Sequence, residues 1–175
     1  MRESRHLGQI ARLFRRPISE VRQTLRALRE AGMLPGKRGG DLRPHHIADV
    51  VFGLCAEGIQ AAPRCVRELR LAHLQDAADL PPTAGEMLRA VIETLPKSPV
   101  LGDLDLDDGF LSVSDDSLTL ECLSLSGKRA VVRYGTAHET TSPTYQFKLN
   151  EIRELAEIVE AFNCENRKTE TYAAA

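Results

Sequence analysis

The chain has 175 residues, of which 27% are charged and 42% hydrophobic, with a formal net charge of −2. This is the profile of a folded globular protein rather than a disordered tract, and no apolar run approaches the roughly 18 residues that a membrane-spanning helix requires. The opening Met1-Arg2-Glu3-Ser4-Arg5 leads into a polar amphipathic segment with no signal-peptide core, so a cytoplasmic protein with no membrane partner is expected.

In chain order, Leu7, Ile10, Ala11 and Phe14 recur at the spacing of one apolar helix face, and Pro17 stops that helix. Ser19 reads as the N-cap of a second helix, with Glu20 in its first turn, Val21, Leu25 and Leu28 inward, and Gly32 as the C′ residue. Met33 and Leu34 then fold back toward the core. Pro35-Gly36-Lys37-Arg38-Gly39-Gly40-Asp41 is rich in turn formers. A third helix has Pro44 near its start, Ile47, Val50, Val51 and Leu54 on one face, and Gly58 at its end. Pro63 opens a segment with Val66, Leu69 and Leu74.

Asp79-Leu80-Pro81-Pro82 is a break, and Thr83 with Glu86 forms a capping-box signature ahead of the stripe Met87, Leu88, Val91, Ile92 and Leu95. Beyond Pro99 the period changes to two. Strands are expected at Phe110–Val113, Ser117–Ser124 and Arg129–Thr136, with hairpin turns at Asp115-Asp116 and Ser126-Gly127-Lys128. Thr144–Leu149 reads as a fourth strand. A last helix is capped by Asn150, buries Ile152, Leu155, Ile158, Val159 and Phe162, and frays from about Asn166 onward.

The charge is divided unevenly along this path. Residues 1–43 hold eleven Lys/Arg against four Asp/Glu, whereas the remainder hold twelve against twenty-one. A basic head on an acidic body suits a polyanionic partner. If Val21, Leu25 and Leu28 are buried, the second helix exposes Glu20, Arg22, Gln23, Arg26 and Arg29. Arginine pairs bidentately with guanine and glutamine with adenine, so Arg22, Gln23 and Arg26 suit base edges in a major groove. Arg29 suits phosphate, and so do the flanking Arg15, Arg16, Lys37, Arg38 and Arg43, with Ser19 as both cap and phosphate donor.

The ungapped stretch from Ile10 through Arg15-Arg16-Pro17-Ile18-Ser19 to Ala31-Gly32-Met33-Leu34 resembles a bacterial winged helix-turn-helix unit. Gly32-Met33-Leu34-Pro35 through Lys37-Arg38-Gly39-Gly40 to Arg43 is similar to the wing of MerR-type heads, and the whole head resembles uncharacterised phage and prophage proteins. The resemblance covers about a third of the chain. It implies double-stranded DNA as partner. One departure is that Arg15 stands where glycine usually makes the turn, so the turn forms either without a positive φ there or with strain.

Other motifs lead elsewhere or nowhere. The four cysteines, at 55, 65, 122 and 164, form no C-x-x-C pair and read as small buried hydrophobes or surface thiols. Adjacent His45 and His46 point about 100° apart on a helix, which suits capping or phosphate contact better than metal chelation. Asp103–Gly109 superficially resembles a calcium loop, but its glycine falls one place late and Ser114 replaces the bidentate glutamate, so a solvated acidic linker is expected. No cofactor, metal or catalytic signature is legible.

The expected architecture is α+β, with a winged helix-turn-helix head at 1–58, a helical connector and possible dimerisation region at 59–100, a small antiparallel β-sheet with a C-terminal helix at 101–165, and a frayed tail at 166–175. Self-association is expected through the 87–95 stripe or the β-rich part. The expected function is that of a non-enzymatic, phage-type transcriptional regulator binding DNA as a homodimer. A small-terminase-like packaging subunit of larger oligomeric state, or an adaptor whose head binds protein, are the alternatives.

Overall fold

A computed structural model of the chain describes residues 3–36, 41–75, 79–136 and 144–173, with side chains from 6 to 164 within those ranges. Among the described residues the fold is mixed α+β. Helices α1 (Glu3–Leu13), α2 (Ile18–Glu30), α3 (Pro44–Cys55), α4 (Ala62–Leu71) and α5 (Ala84–Thr94) precede strands β1 (Val100–Leu101), β2 (Leu104–Val113), β3 (Ser117–Ser124), β4 (Arg129–Gly135) and β5 (Tyr145–Lys148), and α6 (Leu149–Ala173) follows.

The strands form one antiparallel sheet in the order β1-β2-β3-β4. Asp105 of β2 lies opposite both Val100 and Leu123, and Leu111 lies opposite both Leu120 and Phe147, so β1 and β5 share the edge of β2 that faces away from β3. Alternation sends Leu111, Val113, Leu118, Leu120, Val132 and Phe147 inward, where they are buried. The inner face of the sheet meets α6, which buries Leu149, Ile152, Leu155, Ile158 and Val159.

Helix α3 is the centre of the helical layer. Every residue from Ile47 to Cys55 is buried, because α2, α4, α5 and α6 all pack around it. Its one charged residue, Asp49, is 1% exposed and receives a bidentate pair from Arg70 of α4, with Nε 2.6 Å from Oδ1. A carboxylate removed from water needs such charge-assisted bonds. Buried hydrophobic residues from Leu7 to Val159 form a single cluster, so the head, the connector and the β-rich part share one core.

Several expectations are corrected. The 87–95 stripe is not a surface for self-association, since Met87, Leu88, Val91, Ile92 and Leu95 are all 2% exposed or less. The acidic stretch Asp103–Gly109 is not a solvated linker. Its Leu–Asp alternation has period two, and it starts β2 with Leu104 and Leu106 buried. Residues beyond Asn166 continue α6 to Ala173, there being no Gly or Pro after Pro143 to stop it. Asn150 is not the cap of α6, because the helix already begins at Leu149; Glu151 reaches back to the Lys148 amide at 2.7 Å. Leu74 lies past the end of α4 and bridges to Tyr134 of β4. The Thr83 cap is present, with Thr83 Oγ1 accepting from the Glu86 amide at 3.3 Å.

Candidate nucleic-acid interface

The turn between α1 and α2 is made by Phe14-Arg15-Arg16-Pro17. The Arg16 amide donates to Ala11 O at 2.9 Å, and this closure requires Arg15 to adopt φ 52°. The glycine-like conformation is kept without glycine, at a cost of about 1 kcal/mol for a side chain in the left-handed region. Pro17, with φ −59° and ψ 142°, is the cap residue of α2, and its carbonyl accepts from Glu20 and Val21. Ser19 is therefore not the cap. It lies inside the first turn, exposed beside the unpaired amides of the helix N-terminus.

The far end of α2 is equally defined. Gly32 takes φ +72°, its amide donates to Arg29 O at 3.0 Å, and the Met33 amide donates to Leu28 O at 2.9 Å. This double closure satisfies the last carbonyls and turns Met33 and Leu34 inward, where they are buried. Val21, Thr24, Leu25 and Leu28 form the inner face of α2. Leu28 lies against Gly53 of α3, where a Cβ would stand 2.8 Å from Leu28 Cδ1, so a side chain at 53 would have to displace the Leu28 methyls.

Holding the inner face in this way turns the opposite face outward. Ser19, Arg22, Gln23 and Arg26 are exposed and Arg29 is half-buried. Positions 22, 26 and 29 follow i, i+4, i+7 spacing and form one stripe. Arg26 Nε donates to Glu30 at 2.7 Å between two solvent-exposed side chains, and this hydrogen bond holds the Arg26 pKa above its ordinary value. Among the described residues Arg15, Arg22, Arg29 and Arg43 make no ion pair.

Arg16 and Glu20 are not part of that stripe. The Arg16 side chain is 13% exposed and pairs with Glu20. Its Nη2 donates to Ala56 O at 3.0 Å and to the Tyr145 hydroxyl at 2.5 Å, and the guanidinium sits 5.0 Å from the Tyr145 ring centroid. With the edge contact of Phe14 on Phe147 at 5.1 Å, these bonds tie the helical turn to β5. The reason for the difference is topological: β5 and the end of α3 cover this side of the turn. Arg15 lies at the mouth of the same junction, in an open cleft of about 460 Å³ that includes Glu20, Tyr145 and Gln146.

Between Ala31 and Arg43 the described residues contain no strand. Lys37, Arg38, Gly39 and Gly40, the expected tip of the wing, lie outside the described residues. The returning limb of this segment is held by Asn163 of α6, whose Oδ1 accepts from the Leu42 amide at 2.9 Å and whose Nδ2 donates to Leu42 O at 2.8 Å. Arg43 then caps α3, exposed, with its amide donating to His46 Nδ1 at 3.0 Å. Burial, followed by the neighbouring His45, lowers the His46 pKa and so favours the neutral ring that this bond needs as acceptor. His46 is a capping residue.

Sequence reading missed Asn163, Tyr145 and the Asp49–Arg70 pair. Asn163 had a signal, since it sits four residues after Val159 on an otherwise apolar helix face. Asp49 had one too, as a lone acid in the run Ile47–Cys55. Tyr145 had none in its local sequence. Among the described residues no group of three or more His, Cys, Asp or Glu is placed to hold a metal ion, and no helix is long and apolar enough to cross a membrane. Comparison of the chain with protein-family models, curated proteins and solved structures finds no match.

Proposed function

We propose that the outer face of α2 is a recognition surface for double-stranded DNA, with α1 and α2 acting as a helix-turn-helix pair and the 31–43 segment as a wing. Arg22, Gln23 and Arg26 read base edges in the major groove, while Ser19, Arg15, Arg29 and Arg43, with Lys37 and Arg38, contact phosphates. The protein works in the cytoplasm as a phage-type transcriptional regulator, binding as a homodimer so that two half-sites are engaged together.

The observation that supports this reading is the exposed stripe Arg22-Gln23-Arg26-Arg29, on a helix whose other face is buried and whose two ends are tightly closed. A stripe of guanidinium groups in which, among the described residues, Arg26 alone is ion-paired suits a polyanion better than a protein core. Arg16 and Glu20 belong to the support of this helix rather than to its reading face.

Selection of bound fragments from a random duplex pool tests the proposal. Wild type enriches a defined half-site, and Arg22→Ala with Arg26→Ala abolishes that enrichment while weak non-specific binding persists. About five phosphate contacts per subunit, or about ten per homodimer, weaken binding by a factor on the order of 10⁵ between 50 and 200 mM salt. Enrichment that survives both substitutions refutes the assignment of the reading face.

A further inference from the structure

The outer face of the sheet has no covering layer among the described residues, and large apolar side chains gather there. Phe110 is 38%, Leu123 45% and Val131 40% exposed. The register places them on one face: Phe110, Glu121 and Val131 form one row across β2, β3 and β4, and Asp105, Leu123 and Arg129 form the next. The three apolar side chains thus form a triangle, Leu123 on β3 and Phe110 and Val131 to either side one row away, with acid on β2 and β3 and base on β4.

We infer that a second copy of this chain docks on this face, related by a two-fold axis running along β3. The choice of axis follows from the charge pattern. A rotation about β3 exchanges β2 with β4, so Asp105 meets Arg129 of the other copy and Phe110 meets Val131, each twice. Leu123 meets its own counterpart on the axis. Glu121 also meets its counterpart, each already neutralised by the Arg129 beside it. Ser112 meets Arg133. A two-fold axis across the strands instead sets Phe110 against Asp105 and Leu123 against Glu121, pairing apolar groups with acids.

Two sheets packed in this way lie about 10 Å apart with their strands within about 30° of alignment. Three strands spaced at about 4.8 Å give a small footprint, so the dimer is reversible and dissociates on dilution. The inference deepens the homodimeric part of the proposed function and stands without the DNA-binding part. It leaves the Arg22–Arg29 stripe of each copy uncovered, since that stripe belongs to α2 and not to the sheet.

Sedimentation across the micromolar range tests it. Wild type shifts from monomer to dimer with concentration. Leu123→Glu, at an already exposed position, weakens the dimer about 100-fold because the charge is buried twice on the axis. Arg129→Asp weakens it, and adding Asp105→Arg in the same chain restores part of the loss, the remainder being the Glu121 pair left without its own arginines. A Leu123→Cys, Cys164→Ser chain is captured as a dimer by a bis-maleimide spanning about 10 Å, which reports on docking even if a charged variant misfolds. A wild type that stays monomeric, a ring of many subunits, an unaffected Leu123→Glu dimer or absence of the cross-link each overturns the inference. A monomer that still selects DNA sinks the docking and the homodimeric mode but leaves the reading face standing, whereas a dimer that ignores DNA sinks only the nucleic-acid reading.

Discussion

Replacing Arg16 by alanine separates a structural arginine from its exposed neighbours. The substitution removes a donor from the Ala56 carbonyl and the Tyr145 hydroxyl, together worth about 2 kcal/mol at about 1 kcal/mol for each hydrogen bond. Loss of the cation–π contact with Tyr145 adds about 1 kcal/mol in a partly desolvated site. The Glu20 pair, with Glu20 still 28% exposed, adds only about 0.5 kcal/mol. Against these, the Arg16 Nε is buried without a partner, and deleting it returns about 1 kcal/mol. The net loss is about 2–3 kcal/mol, read in urea unfolding followed by circular dichroism, with a fall in Tm of roughly 5–10 °C. Arg16→Lys recovers little of it, since an ammonium cannot span three acceptors in a plane. Arg15→Ala, one residue away but exposed, changes stability by less than about 0.5 kcal/mol and, if DNA is bound as proposed, lowers the salt slope of the homodimer by about two, one per subunit. The reasoning fails if Arg16→Ala is as stable as wild type, or if it flattens the salt slope while Arg15→Ala does not.

Three further outcomes follow from the same geometry. Arg15→Gly raises stability by about 1 kcal/mol in chemical denaturation, because glycine adopts φ 52° without strain; a loss of stability contradicts the assigned turn. Asn163→Ala releases Leu42, speeds hydrogen exchange at its amide and lowers DNA affinity by several-fold through the freed wing; unchanged exchange contradicts the clamp. Burial raises the Cys65 thiol to about 12, the Cys122 thiol to about 11 and the Tyr134 hydroxyl to about 12, all above their ordinary values. Each group is held neutral in the folded chain, so its contribution is complete below the unfolded pKa and is lost as pH rises through the folded one. Stability therefore falls from about pH 9 upward in an unfolding series, and at pH 8 the exposed Cys164 reacts with a thiol reagent ahead of these two; stability that is flat or rising over that range contradicts the burial of these groups.

Local physics made much of this fold legible. The apolar spacing of α1, α2 and α3, the Gly32 stop, the Thr83 cap and the inward Ile152, Leu155, Ile158 and Val159 of α6 are all set by neighbours within a turn or two, and each appears where its pattern indicates, whereas Phe162 is only half-buried. Legibility ended where distant segments meet. Arg16 has the composition of a phosphate contact, and only the arrival of β5, some 130 residues later, makes it a strut. The 87–95 stripe is apolar enough for an interface or a core, and nothing within it distinguishes the two; α3 lying against α5 does. The Asp103–Asp108 run reads as solvated by charge and as strand by period, and burial of Leu104 and Leu106 decides for the strand. Within the candidate interface, the face of α2 was readable because burial of Val21, Leu25 and Leu28 alone dictates what remains outside.

Cross-linking from position 23 shows whether the outer face of α2 touches DNA bases. A photoreactive side chain at Gln23, on the outer face of α2, is compared with one at the exposed Glu68 of α4, each in complex with the selected duplex. Efficient cross-links form from position 23 to bases within each half-site, and almost none from position 68, if α2 lies in the groove. Bound protein that cross-links from position 68 but not from position 23 contradicts it.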